Sequence, residues 1–142
     1  MNVTVFGGAT CATAMVLPSG VGSDSAQFNN CGAGDNTPGI TCYAYNYQDM
    51  VFARTVEPGY SLTLWLSSLA GWSTKYCNLQ MRWGGSCPGT YNVDCASYLT
   101  SAPAYNRRFT WTNSTGSTQT VYFTVGAYYS GTSYCGNFKL AC

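Results

Sequence analysis

The groups able to carry catalysis in this chain are few. It holds five carboxylates, Asp24, Asp35, Asp49, Glu57 and Asp94, and no histidine. Without an imidazole, Ser-His and Cys-His nucleophile systems are absent. A glycosidase needs two carboxyl groups about 5–10 Å apart in a cleft. Asp49 and Glu57 flank a predicted strand and form the candidate pair, although placement in turns accounts for them equally well. Asp24, Asp35 and Asn36 share a long loop rich in carbonyls, a setting that suits a hard cation. No D-x-D-x-D-G spacing accompanies them, and surface loop acids are the simpler reading. The chain is read as non-enzymatic, with no metal and no cofactor.

Eight cysteines are the next chemically competent set: Cys11, Cys31, Cys42, Cys77, Cys87, Cys95, Cys135 and Cys142. So many in a short chain indicate an oxidising compartment. Zinc sites use close C-x2-4-C pairs or histidines, and the chain has neither C-x-x-C nor histidine, so the cysteines are read as disulfides. If residues 136–142 are extended, Cys135 and Cys142 lie about 23 Å apart, too far for a bond that needs Cα atoms within about 7 Å. Eight cysteines allow about 105 connectivities. The pairing guessed from spacing is Cys31–Cys42 and Cys87–Cys95 as loop staples, with Cys11–Cys142 and Cys77–Cys135 joining strands.

Two sequons, Asn2-Val3-Thr4 and Asn113-Ser114-Thr115, mark Asn2 and Asn113 as acceptors for N-glycans. Flat rings are the remaining candidates. Tyr43, Tyr45 and Tyr47 alternate along one predicted strand, and Trp65, Tyr122, Tyr128 and Tyr129 are placed facing outward. Tyr43, Tyr45, Tyr47 and Trp65 are taken as the rings that would stack on sugars. Packing under loops or a partner chain is the bland alternative.

Side chains alternate between faces along a strand, and the chain shows that period repeatedly. In residues 113–129, Val121, Phe123 and Val125 share one face, while Thr120, Tyr122 and Thr124 share the other, so a half-buried strand follows a hairpin turn at residues 112–117. That turn carries the second sequon, and its tip is therefore expected to face solvent. Residues 61–67 alternate most cleanly, with Leu62, Leu64 and Leu66 inward and Thr63 and Trp65 outward. Cys77, Leu79, Met81 and Trp83 share a face over residues 76–83. Further strands are predicted at 1–6, 12–17, 43–54, 106–111 and 137–142, with loops over 20–41 and 87–103. About eight strands separated by turn signals, with no helical period, predict an all-β, two-sheet antiparallel sandwich or jelly roll.

The first strand, Asn2, Val3, Thr4, Val5 and Phe6, stands apart. Gly7-Gly8 joins it to the body, so residues 1–8 form a hinged strand and residues 9–142 a single sandwich domain. A strand free to leave its own sheet can pair with the edge of a neighbour. Each copy then gives one strand and accepts one, a head-to-tail contact that propagates as a filament. The alternative is an ordinary edge strand of its own sheet.

Only 8% of the 142 residues are charged, and the net charge is +1. That balance gives no reason to expect nucleic acid as a partner. No apolar run of about 20 residues is present, so no membrane insertion by a helix is expected. The N-terminus lacks the basic and apolar regions of a signal peptide, so the chain is read as a mature form or as one missing its start.

Asp49-Met50-Val51-Phe52 followed by Pro58-Gly59-Tyr60-Ser61-Leu62-Thr63-Leu64 resembles the opening of bacterial pre-peptidase C-terminal (PPC-like) domains. Phe109-Thr110-Trp111-Thr112-Asn113, Val121-Tyr122-Phe123-Thr124-Val125-Gly126 and Gly136-Asn137-Phe138-Lys139-Leu140 resemble their closing strands. The likeness runs over about residues 12–142. It implies an extracellular, non-catalytic β-sandwich that binds matrix or polysaccharide or assists secretion. The extra cysteines and the sequons depart from that pattern. The combined expectation is a secreted structural protein, a subunit of an extracellular fibre assembled with copies of itself through the N-terminal strand. The alternative is a carbohydrate- or matrix-binding module.

Overall fold

The computed structural model describes residues 10–16, 25–33, 47–68, 77–99, 107–127 and 137–141. A 3-10 turn, Cys11–Thr13, precedes nine strands: β1 (Met15–Val16), β2 (Ser25–Asn29), β3 (Tyr47–Val56), β4 (Ser61–Ser68), β5 (Cys77–Trp83), β6 (Tyr91–Leu99), β7 (Arg107–Thr112), β8 (Gln119–Ala127) and β9 (Asn137–Ala141). They form a five-stranded sheet in the order β1-β3-β8-β5-β6 and a four-stranded sheet in the order β2-β9-β4-β7. Every pairing is antiparallel except that of β1 with β3. The all-β sandwich expected from the alternation is the fold observed.

The core lies between the sheets. Met50 and Phe52 of β3, Leu62, Leu64 and Leu66 of β4, Leu79 and Met81 of β5, Phe109 of β7, and Val121, Phe123 and Val125 of β8 are buried in it. The rings show how the layers are offset. Phe28 meets Phe52 at 4.7 Å, so β2 lies over β3. Phe109 meets Phe123 at 5.6 Å and Trp111 meets Trp83 at 5.0 Å, so β7 lies over β8 and β5.

Several expectations need correction. The segment 20–41 contains β2, and 87–103 contains β6. The sequence pattern predicts loop for both, because Asn, Asp and Cys interrupt their apolar residues. Strand 12–17 shrinks to Met15–Val16, since Thr10 caps a 3-10 turn through Thr13. β8 is buried on both faces rather than half-buried: Thr124 and Gly126 are covered as well as Val121, Phe123 and Val125. Its central place in the five-stranded sheet accounts for this, as do the buried Asp49, Val51, Asn78 and Gln80 on the same outer face. The connection after β7 is not a hairpin. It carries the chain from the four-stranded sheet to the five-stranded one.

The disulfide guess fails in two places. Cys11 bonds Cys87, with Cα atoms 5.5 Å apart and a sequence separation of 76. That excludes Cys11–Cys142 and Cys87–Cys95. Cys31 and Cys95 are also disulfide-bonded. Cys42, Cys135 and Cys142 lie outside the described residues, so the Cys31–Cys42 and Cys77–Cys135 pairings do too. Spacing suggested local staples, but tertiary folding brings position 11 over the β5–β6 turn.

Candidate interaction face

The end of the sandwich where β3 stops and β4 starts is built from three connections. In the first, the β3–β4 turn holds Asn113 through two backbone bonds, Asn113 N–H to Tyr60 O (2.9 Å) and Gly59 N–H to Asn113 O (2.8 Å). The second is the β7–β8 crossing. Asn113 is 0% exposed there. Its Nδ2 donates to Val56 O (2.8 Å) and Ser117 O (2.9 Å), and its Oδ1 accepts from Thr115 N–H (2.9 Å) and Thr115 Oγ1 (2.7 Å). Solvent does reach the tip at Ser114, Gly116, Ser117 and Thr118. The acceptor atom of the sequon, however, is turned inward, contrary to the solvent-facing expectation. A crossing between sheets leaves carbonyls of both connections to be satisfied, and the Asn113 amide satisfies them.

The third connection is the β5–β6 turn, residues 84–90. It folds back over the outer face of the five-stranded sheet. Tyr122 Oη donates to Gly85 O (3.2 Å), and Arg82 donates from Nε to Gly89 O (2.9 Å) and from Nη2 to Thr90 O (3.1 Å). Gly89 has φ 98°, and a Cβ there would lie 2.8 Å from the Arg82 Cβ, so glycine is required for this close return. Cys87 sits in the turn and ties down Cys11.

The inner face of the same end carries a row of rings that the alternation did not single out. Arg54, Val121, Trp83 and Tyr91 occupy one rung across β3, β8, β5 and β6. Tyr91 lies 4.6 Å from Trp83, and Trp83 lies 5.0 Å from Trp111, at interplanar angles of 33° and 30°. Trp83, Trp111 and Val93 pack against the core while partly exposed, and Tyr91 is 55% exposed. The period-2 signal was available for Trp83. Tyr91 was hidden because β6 had not been recognised.

Trp65 lies elsewhere, on the outer face of β4. It is 40% exposed, and the Arg108 guanidinium sits 5.4 Å from its ring centre. Hydroxyl pairs continue that face, Ser61 with Thr112 (2.7 Å) and Thr63 with Thr110 (3.1 Å). Tyr47 belongs to β3. Tyr43, Tyr45, Tyr128 and Tyr129 lie outside the described residues, as do Asn2–Phe6, Asp24, Asp35 and Asn36. Tyr122 is half-buried and engaged with Gly85 rather than projecting freely.

The candidate carboxylate pair is separated. Asp49 is buried near the start of β3, and Glu57 is exposed just beyond its end. Eight residues of strand place them about 26 Å apart, far outside the spacing that two-carboxylate chemistry needs. Among the described residues, no group of three or more His, Cys, Asp or Glu side chains is arranged to hold a metal. No described helix is long and apolar enough to cross a membrane. The chain matches no family model, no curated protein and no solved structure.

Proposed function

We propose that this chain is a secreted, non-enzymatic structural protein, a filament subunit that assembles head-to-tail by giving its N-terminal strand, Asn2–Phe6, to a neighbouring copy. The observation that carries this reading is the tether at Cys11. Among the described residues the strands begin at Met15, and the Cys11–Cys87 bond fixes the chain just ahead of them. A strand preceding Cys11 would be given to a neighbour without loosening that tether. The disulfides fit an oxidising, extracellular location. The PPC-like resemblance of residues 49–64 and 109–140 supports a non-catalytic extracellular module.

Negative-stain microscopy tests the reading directly. Full-length protein is expected to form filaments, and a variant lacking Met1–Phe6 is expected to remain a folded monomer. A monodisperse full-length monomer at high concentration would sink the proposal.

A second reading, polysaccharide or matrix binding, is favoured by one observation. Trp65 offers an exposed ring beside two hydroxyl pairs, a surface of the kind that stacks on and hydrogen-bonds to sugars. Glycan-array binding that disappears in Trp65→Ala is the expected result. Binding unchanged by that substitution removes Trp65 from the reading.

A further inference from the structure

The outer face of β4 and β7 carries hydroxyls along one part and an indole with a guanidinium at the other. On β4 the residues of that face are Ser61, Thr63 and Trp65, and the antiparallel register sets them opposite Thr112, Thr110 and Arg108 of β7. Rungs two residues apart are about 7 Å from each other, so the three rungs run over roughly 14 Å. Trp65 is 40% exposed, and Ser61, Arg108, Thr110 and Thr112 are exposed as well. Ser61 and Thr112 share one hydrogen bond (2.7 Å), and Thr63 and Thr110 share another (3.1 Å). A hydroxyl has one O–H with which to donate and two lone pairs with which to accept. Each pair therefore uses one O–H internally and keeps the second, with lone pairs on both oxygens, for a ligand. The third rung works differently. The Arg108 guanidinium carbon lies over the Trp65 ring, 5.4 Å from its centre. Stacking occupies the flat face of a guanidinium, while its N–H donors lie in the plane and point to its edges. Cation–π attraction thus steadies the Arg108 fork beside the indole without using those donors.

We propose that this face binds an acidic polysaccharide whose sugar rings carry carboxylates, with Trp65 against a sugar ring and Arg108 on its carboxylate. The inference rests on the polysaccharide-binding reading above and names the class of polymer. Charge complementarity selects the class. A planar guanidinium fork meets a carboxylate through two parallel N–H···O bonds, and such charge-assisted bonds are stronger than those to a neutral hydroxyl. Distance selects among anions. Because the guanidinium sits 5.4 Å from the indole centre, its partner must lie close to the stacked sugar ring. The carboxylate of a uronic acid is joined directly to a ring carbon and meets that requirement, whereas a sulfate ester is held further out through an oxygen. The two hydroxyl rungs then face the hydroxyls of the neighbouring sugar, since each side can both donate and accept. A run of roughly 14 Å accommodates more than a single ring, so a polymer rather than a monosaccharide is the expected ligand.

Isothermal titration of the full-length chain with sodium polygalacturonate, and with the same polymer after reduction of its carboxyl groups, tests the assignment. The acidic polymer is expected to bind at least about tenfold more tightly than the reduced one, and added sodium chloride should weaken only the acidic arm. Arg108→Gln should bring the acidic polymer down to the affinity of the reduced one. Its circular dichroism spectrum should be unchanged, because Arg108 is exposed. Arg108→Lys keeps the charge without the fork and should also fall well below wild type. Wild-type affinity in that variant would reveal a diffuse attraction and overturn the proposal. Equal affinity of the wild-type protein for both polymers, lost for both in Trp65→Ala, would leave polysaccharide binding standing and remove the acidic class. Binding to neither polymer would likewise overturn the acidic class. If the glycan array is then blank too, or Trp65→Ala binds as the wild type does, the polysaccharide reading falls with it.

Discussion

Asn113 shows how one residue type carries two opposite meanings. In sequence it heads a sequon. In the fold its amide is enclosed and makes four hydrogen bonds across the two connections that pass between the sheets. A glycan on Nδ2 removes one of the two donors and requires space that a buried atom does not have. Peptide mass spectrometry of folded, secreted protein is therefore expected to find Asn113 unmodified. Asn113→Ala leaves the Val56 and Ser117 carbonyls and the Thr115 N–H without that partner. It should destabilise the protein by about 2–4 kcal/mol and lower Tm by roughly 10 °C, measured by thermal unfolding. Tyr91 is the converse case: the pattern around it predicts loop, and its place on β6 sets it against Trp83 at 4.6 Å while leaving it exposed.

At the scale of elements, alternation picked out the core-facing residues of β4 and β8 but not how far the opposite face of β8 is covered. Leu62, Leu64 and Leu66 face the core as the pattern of β4 required, and Thr63 and Trp65 face away. In β3, β5 and β8, however, outward-facing residues are buried too. Val51 and Thr55 make the contrast measurable, because both lie on the outer face of β3. Val51 is buried and Thr55 exposed. Val51→Asp should destabilise by about 3–5 kcal/mol through burial of an unpaired carboxylate, whereas Thr55→Asp should shift stability by no more than about 0.5 kcal/mol. Urea denaturation of the two variants reads the difference directly. Equal effects would mean that the outer face of this sheet is uniformly solvated.

For the whole molecule, the Cys11–Cys87 bond matters more than its local surroundings suggest. It joins the beginning of the described chain to a turn on the far side of β8, closing a loop with a sequence separation of 76. On the loop-entropy account such a closure stabilises by up to about 4 kcal/mol, and by less where other disulfides already restrict the same loop. The Cys11→Ser, Cys87→Ser double variant should unfold at a lower denaturant concentration. In a filament it should also break at lower force, because β1 has only two residues of ladder, opposite Phe52 and Ala53, with which to hold the chain. An unchanged unfolding midpoint would show that β1 and the neighbouring contacts suffice.

The sequence by itself determined the class of fold. Period-2 alternation of Leu, Val and Phe, low charge, many turn residues and eight cysteines admit few arrangements besides a disulfide-linked β-sandwich, since each signal is local and each limits a strand's own two faces. It could not determine which strands share a sheet. That depends on contacts between distant segments; β2 is short, and Asn92, Asp94 and Cys95 interrupt the apolar pattern of β6, so neither announces itself. Only the tertiary structure decided that residues 107–112 and 119–127 lie in different sheets, which turns Asn113 from a glycan acceptor into a buried tie. It also decided that Cys11 meets Cys87, and that the described strands divide into sheets of five and four. These facts depend on packing one layer on the other, which no local pattern carries.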